Sequence, residues 1–220
     1  MTKSDPVVHA LSEFDDAVRD GGVAVFAGVD EAGRGPLAGS VYAAAVVLGR
    51  GVEIPYLNDS KKLTEKRREQ LFDVICDTAY AWGIGEATVA EIEEINSLNA
   101  AMLAMRRAVE SLHTKDGELV VPELLLIDGD KARGFSLPTE CVIGGDAKSL
   151  SIAAASVLAK VSRDRSMLAL AKEYPQYGFE KHKGYGTKAH YEALDAYGVS
   201  PVHRPSFLKK YFAARAGGRA

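Results

Sequence analysis

The 220-residue chain is 47% hydrophobic and 26% charged, which suits one globular domain with a self-sustaining core. Its formal charge of -3 argues against a protein that coats nucleic acid non-specifically, and its longest apolar runs, Ala43 to Leu48 and Leu124 to Ile127, fall far short of the roughly 20 residues of a membrane span. The first residues lack the charged and apolar regions of a signal peptide, so the protein is expected to act in the cytoplasm, away from membranes, and Cys76 and Cys141 are expected to be small buried hydrophobes rather than a disulfide.

Residues 1–20 have weak periodicity and are read as a short helix or mobile leader without chemistry. Val23 to Val29 and Ser40 to Leu48 read as two buried strands joined by a glycine-punctuated turn, and so as a hairpin. Thr64 can cap a helix with an apolar stripe of Leu71, Phe72, Ile75 and Ala79, followed by a third strand over Trp82 to Thr88. Ser97 is read as the cap of a further helix, in which Leu98, Met102, Met105, Val109 and Leu112 share one face. Leu124 to Asp128 has the pattern of a central strand whose end opens into a site, and a short strand follows at Cys141 to Ile143. Ser149 to about Tyr174 is a long helix whose small face (Ser151, Ala154, Ala155, Ala159) suits close packing on a sheet, and a last helix runs from about Thr187 to Tyr197. The chain is thus an α/β domain with a leader (1–20), a core (21–175), a helical substrate-binding extension of the same domain (176–215) and a tail (216–220).

Asp30 and Glu31 end the first strand, Asp128 ends the central one, and Asp146 sits in a Gly-Gly-Asp turn. Acids at the ends of buried strands are costly unless a cation compensates them, and an oxygen-only donor set suits Mg²⁺ or Mn²⁺, the alternative being ordinary strand-end acids or N-caps. Adjacent strand residues point to opposite faces, so Asp30 and Glu31 can share a metal site only if the strand loses regularity, which Gly33 and Gly35 would permit. Asp164 competes with Asp146 for the fourth place, with a Lys160–Asp164 ion pair as the alternative. Asp146 is preferred because it lies beside flexible glycines. Residues 181–215 carry seven Lys/Arg against two Asp/Glu, whereas residues 1–180 carry 19 against 28, so on charge alone the C-terminal part reads either as a phosphate-facing surface or as a solubilising basic tail.

The segment Asp30-Glu31-Ala32-Gly33-Arg34-Gly35-Pro36-Leu37-Ala38-Gly39 resembles the signature of the ribonuclease HII family. Five further strings follow in family order: residues 58–63 (NDSKKL), 127–129 (IDG), 145–149 (GDAKS), 153–164 (AAASVLAKVSRD) and 182–187 (HKGYGT). The resemblance spans roughly residues 22 to 207. It implies a ribonuclease H-like fold, a five-stranded mixed sheet flanked by helices, with Asp30, Glu31, Asp128 and Asp146 as catalytic carboxylates and metal ligands. It matches Gly33, Arg34 and Gly35 to an element whose backbone contacts the ribonucleotide and its 2′-hydroxyl, and Tyr185 to the tyrosine that works with it.

The implied reaction is two-metal hydrolysis of the RNA strand of RNA/DNA hybrids and nicking at ribonucleotides embedded in duplex DNA, leaving 3′-hydroxyl and 5′-phosphate ends. One Mn²⁺ or Mg²⁺ is expected without substrate and a second with it. Lys61 and Lys148 are read as phosphate contacts, together with Lys62, Lys181, Lys183 and Lys188, while His182 and His203 are left out of the catalytic set. The rival readings are a DNA-only nuclease of the same fold, a non-cleaving hybrid-binding module and a small-molecule phosphatase. The composition is compatible with a monomer, and nothing in the residues supports a sliding-clamp contact through the tail.

Overall fold

The computed structural model describes residues 6–217. A five-stranded sheet in the order β3-β2-β1-β4-β5 carries β1 (Phe26–Ala32), β2 (Val41–Val47), β3 (Ala81–Ala87), β4 (Leu124–Asp128) and β5 (Thr139–Val142). The pairs β1–β2 and β2–β3 are antiparallel, whereas β1–β4 and β4–β5 are parallel, which gives the mixed sheet expected. Alternation along β2 sends Ala44 and Val46 to one face and Val41, Ala43, Ala45 and Val47 to the other, so both faces are apolar and each must be covered.

The first face is covered by α4 (Leu150–Glu173), with α1 (Pro6–Asp20) and α2 (Glu65–Thr78) beside it, and the second by α3 (Val89–Glu110). The small face of α4 lies close against the sheet. A Cβ on Gly28 would stand 2.3 Å from the backbone of Ser151 and Ile152, so only glycine allows β1 to receive the start of α4. Beyond the sheet, α5 (Phe179–His182), α6 (Lys188–Tyr197) and α7 (Pro205–Gly217) gather around Leu37, Ala38, Met167, Tyr177 and Phe179. No helix among the described residues is long and apolar enough to cross a membrane.

Several expectations need correcting. The first strand begins at Phe26 rather than Val23, because pairing with β4 starts at Phe26↔Leu124, and it continues to Ala32, because pairing with β2 runs on to Ala32↔Tyr42. Ser97 is not the cap: α3 starts at Thr88, in a capping box with Glu91, and breaks at Asn96, whose side chain accepts from the amides of Leu98 and Asn99. Helix α7 follows the helix read as the last. Cys141 is exposed on the edge strand rather than buried, and both cysteines are free. In the segment read as a leader, α1 buries Val8 and Leu11, each contributing about 1.5–3 kcal/mol. Residues 1–5 of that leader and 218–220 of the tail lie outside the described residues.

Candidate metal centre and substrate cleft

Parallel pairing of β1 with β4 sets the ends of two central strands side by side, so Asp30 and Asp128 emerge together. The turn after β5 returns to them: Gly144 adopts φ 64°, a 3-10 turn over Gly145–Ala147 follows, and the Gly145 amide donates to Asp128 Oδ1 at 2.6 Å. Asp146 is thereby brought in. Asp30, Asp128 and Asp146 each offer an oxygen within 4.8 Å of the other two, with Asp30 and Asp146 only 6% and 5% exposed.

Three carboxylates so close resist ionising together. Burial, then the charges of Glu31 and Asp128, hold the Asp30 carboxyl well above its usual range, and burial with the nearby Asp146 raises Asp128 against the stabilising Gly145 amide. The nearest cation is Lys61, whose Nζ lies 3.1 Å from Asp146 Oδ2. Burial opposes its charge, but the bond to Asp146 raises its pKa on balance. One ammonium against three carboxylates leaves an anionic, all-oxygen donor set, and that fits a hard divalent cation.

Glu31 lies beside this trio and outside it. The strand keeps its alternation through Glu31↔Ala43, the irregular backbone falls later at Gly33 (φ 104°), and Arg34 Nη1 holds Glu31 Oε1 at 3.1 Å. Burial still raises the Glu31 carboxyl, against the pull of Arg34. Asp164 is instead committed to ion pairs with Lys160 at 2.7 Å and Arg68 at 3.7 Å.

A cleft of about 130 Å³ opens beside Asp30 and Glu31, lined also by Gly33, Lys61, Arg163 and Tyr185 among others. Within it Ser156 donates to Ser60 at 2.7 Å. Gly33 and Tyr185 are thus placed on one cleft with Asp30 and Glu31, while Arg34 and Gly35 stand exposed outside its lining. Lys148 is exposed outside the lining. A larger cavity of about 310 Å³, bounded by Arg106, Leu125 and Phe135, is lined by none of these carboxylates.

Reading by residue type missed two arginines. Arg163 and Arg204 are 1% and 0% exposed, although arginine is ordinarily a surface residue. Arg163 Nη2 donates to the carbonyls of Ala38 and Lys183, while its Nε and Nη1 have no hydrogen-bond partner. A Cβ on Gly33 would stand 2.2 Å from Arg163 Nε, so the glycine loop rests directly on this guanidinium.

A family profile described as Ribonuclease HII matches residues 27–213. The chain belongs to that family. The ribonuclease HII of Endomicrobium trichonymphae is 54% identical over 198 residues, covering 90% of this chain and 91% of the relative. Among solved structures, ribonuclease H2 from Pyrococcus horikoshii OT3 is similar at 26% identity and a TM-score of 0.66, over 84% of this chain and 96% of that one. Bst-RNase HIII in complex with Mn²⁺ shares the fold, with 18% identity and a TM-score of 0.55 over 90% of this chain and 67% of that one. Ribonucleases HII are metal-dependent hydrolases that degrade the RNA of RNA/DNA hybrids, and among the described residues the acidic trio could hold a metal ion.

Proposed function

We propose that this protein cuts the RNA strand of RNA/DNA hybrids and nicks DNA duplexes at embedded ribonucleotides, with Mn²⁺ or Mg²⁺ held by Asp30, Asp128 and Asp146. The observation that carries the reading is one cleft lined by Asp30 of the acidic trio, by Glu31, and by Gly33 and Tyr185. A pair of bound cations supplies water activation and stabilisation of the leaving 3′-oxygen, so that the products end in 3′-hydroxyl and 5′-phosphate.

The chain's own groups hold and orient. Asp30 and Asp128 are fixed by the sheet, and Asp146 is steadied by Lys61. Glu31, restrained by Arg34, would help hold a second ion. Lys61 is exposed along most of its side chain and stands at the cleft, where it can meet a backbone phosphate, and Lys148 contacts the nucleic acid further out. The Gly33-Arg34-Gly35 backbone and Tyr185 read the ribose, since the 2′-hydroxyl is what distinguishes RNA from DNA.

The test is a labelled DNA duplex containing one ribonucleotide, beside its all-DNA counterpart, incubated with metal or chelator and with wild type or Asp128→Asn. Metal-dependent nicking of the first duplex alone, lost in the variant, is expected. Equal cutting of both would point to a DNA nuclease, and tight binding of a hybrid without cutting would point to a binding module.

A further inference from the structure

The cleft contains the glycine loop and Tyr185, and both are tethered to one dipeptide that lies far away in sequence. His203 and Arg204 sit in the connection between α6 and α7. This connection docks on the segment after β1 through an isolated bridge of His203 with Ala38, the Arg204 amide donating to the Leu37 carbonyl, and the Gly39 amide donating to Val202. We propose that His203 and Arg204 are positioning residues for ribose recognition, bracing the glycine loop and Tyr185 from beneath. The inference rests on the ribose-reading function proposed above.

Arg204 forms the first arm. Its guanidinium donates to the carbonyls of Gly33 (2.8 Å), Arg34 (3.0 Å) and Gly39 (2.9 and 2.6 Å). Every described peptide bond is trans, so each carbonyl points opposite to the amide that follows it. Holding the Gly33 and Arg34 carbonyls inward therefore turns the Arg34 and Gly35 amides outward. Neither amide has a protein acceptor among the described residues, and the space beside Gly35 is empty to 4 Å. The result is a fixed pair of N–H donors at the rim of the cleft, suited to an oxygen ligand. Neither Arg204 nor Arg163 pairs with a carboxylate among the described residues, so the loop rests on two buried positive charges that also favour oxygen at its outer face.

His203 forms the second arm, in which every proton has an assignable place. The Ser200 amide can only donate, so His203 Nδ1 is an acceptor and its proton sits on Nε2. The Tyr185 carbonyl can only accept, so His190 Nδ1 carries the proton and its Nε2 is bare. The 3.1 Å contact between the two Nε2 atoms is then a hydrogen bond from His203 to His190. A directional chain thus runs from Ser200 through both neutral imidazoles to Tyr185. Stacking of His182 on His190 at 4.5 Å holds the ring that ends it. Tyr185 remains 47% exposed, free to meet a substrate while its backbone carbonyl is held.

The test measures binding on the non-cleaving Asp128→Asn background, using fluorescence anisotropy with the one-ribonucleotide duplex and its all-DNA counterpart. The parent is expected to prefer the ribonucleotide. Arg204→Lys keeps a cation but loses the planar fork, and should erase about 10-fold or more of that preference while leaving all-DNA binding unchanged. His203→Asn keeps a partner for Ser200 but cannot reach His190, and should remove a smaller part. It carries the test alone if Arg204→Lys does not fold. Preference retained in folded variants, or equal weakening on both duplexes, would overturn the brace. A parent that itself shows no preference would instead overturn the ribose reading, and the brace with it.

Discussion

His203 offers a sharp prediction for stability, because its environment admits only the neutral ring. It is 1% exposed, Tyr177 lies edge-on to it and Phe179 is tilted against it, and burial together with neighbouring His190 and His182 pushes its pKa down to about 4. The unfolded chain takes up that proton near the ordinary histidine value of about 6.5. Between these two values the unfolded state binds more protons, so the stability His203 provides is complete above about pH 6.5 and drains away as pH falls toward 4. Integrated down to about pH 4.5, the loss is about 2–3 kcal/mol. His190, also held below its usual pKa by burial, acts in the same direction.

Asp15, Asp30, Glu31 and Asp128 act oppositely: their raised pKa values give stability below the unfolded carboxylate range that is lost as pH rises. The measurement must therefore be a difference. Urea unfolding of wild type and His203→Asn is followed from about pH 7.5 to 4.5. At the upper end the variant should be less stable by about 1–2 kcal/mol, for one lost hydrogen bond and lost ring contacts. At the lower end the gap should have closed or reversed. A gap constant across the range would refute the neutral relay.

Other outcomes follow from the same geometry. Mn²⁺ at a hundredfold excess over its Kd should stabilise the protein by about 2.7 kcal/mol, read as a rise in unfolding midpoint that is absent in Asp128→Asn. Gly35→Ala meets open space at an ordinary φ and should leave stability unchanged while cleavage falls on the order of 10–100-fold. Gly33→Ala must displace the pinned Arg163 at φ 104° and should cost about 2–4 kcal/mol in urea unfolding. Asp15, 1% exposed, accepts from the Ser149 and Ser151 hydroxyls and the Ser151 amide, so Asp15→Asn should lower stability by about 1–3 kcal/mol, measured in the same way.

What could be read from the sequence depended on whether neighbours in sequence are also neighbours in space. The helix over Glu65–Thr78 was legible because Thr64 announces its cap and Leu71 and Ile75 its face, and Leu124–Asp128 because a short apolar run ending in an acid has few other uses. Asp30, Asp128 and Asp146 were legible as strand-end or turn acids. Their meeting rests on β1 pairing parallel to β4, which local pattern alone does not specify. The Asn96 break was hidden because residues 89–110 keep an apolar face across it. Asp15 resembled any other acid on a surface helix until Ser149 and Ser151 were placed opposite it. Arg163 and Arg204 were invisible for a related reason: their partners are backbone carbonyls, which carry no sequence signature, and arginine in a basic stretch reads as solvated.

In the proposed reaction an acidic trio and a ribose-reading loop act on one phosphodiester. The most direct test is mass analysis of the ends produced when the purified protein and Mn²⁺ nick a DNA duplex bearing a single ribonucleotide. One cut beside that ribonucleotide is expected, with 3′-hydroxyl and 5′-phosphate ends and none after chelation. A 2′,3′-cyclic phosphate, or cutting that persists without metal, would make the 2′-hydroxyl the nucleophile and contradict it.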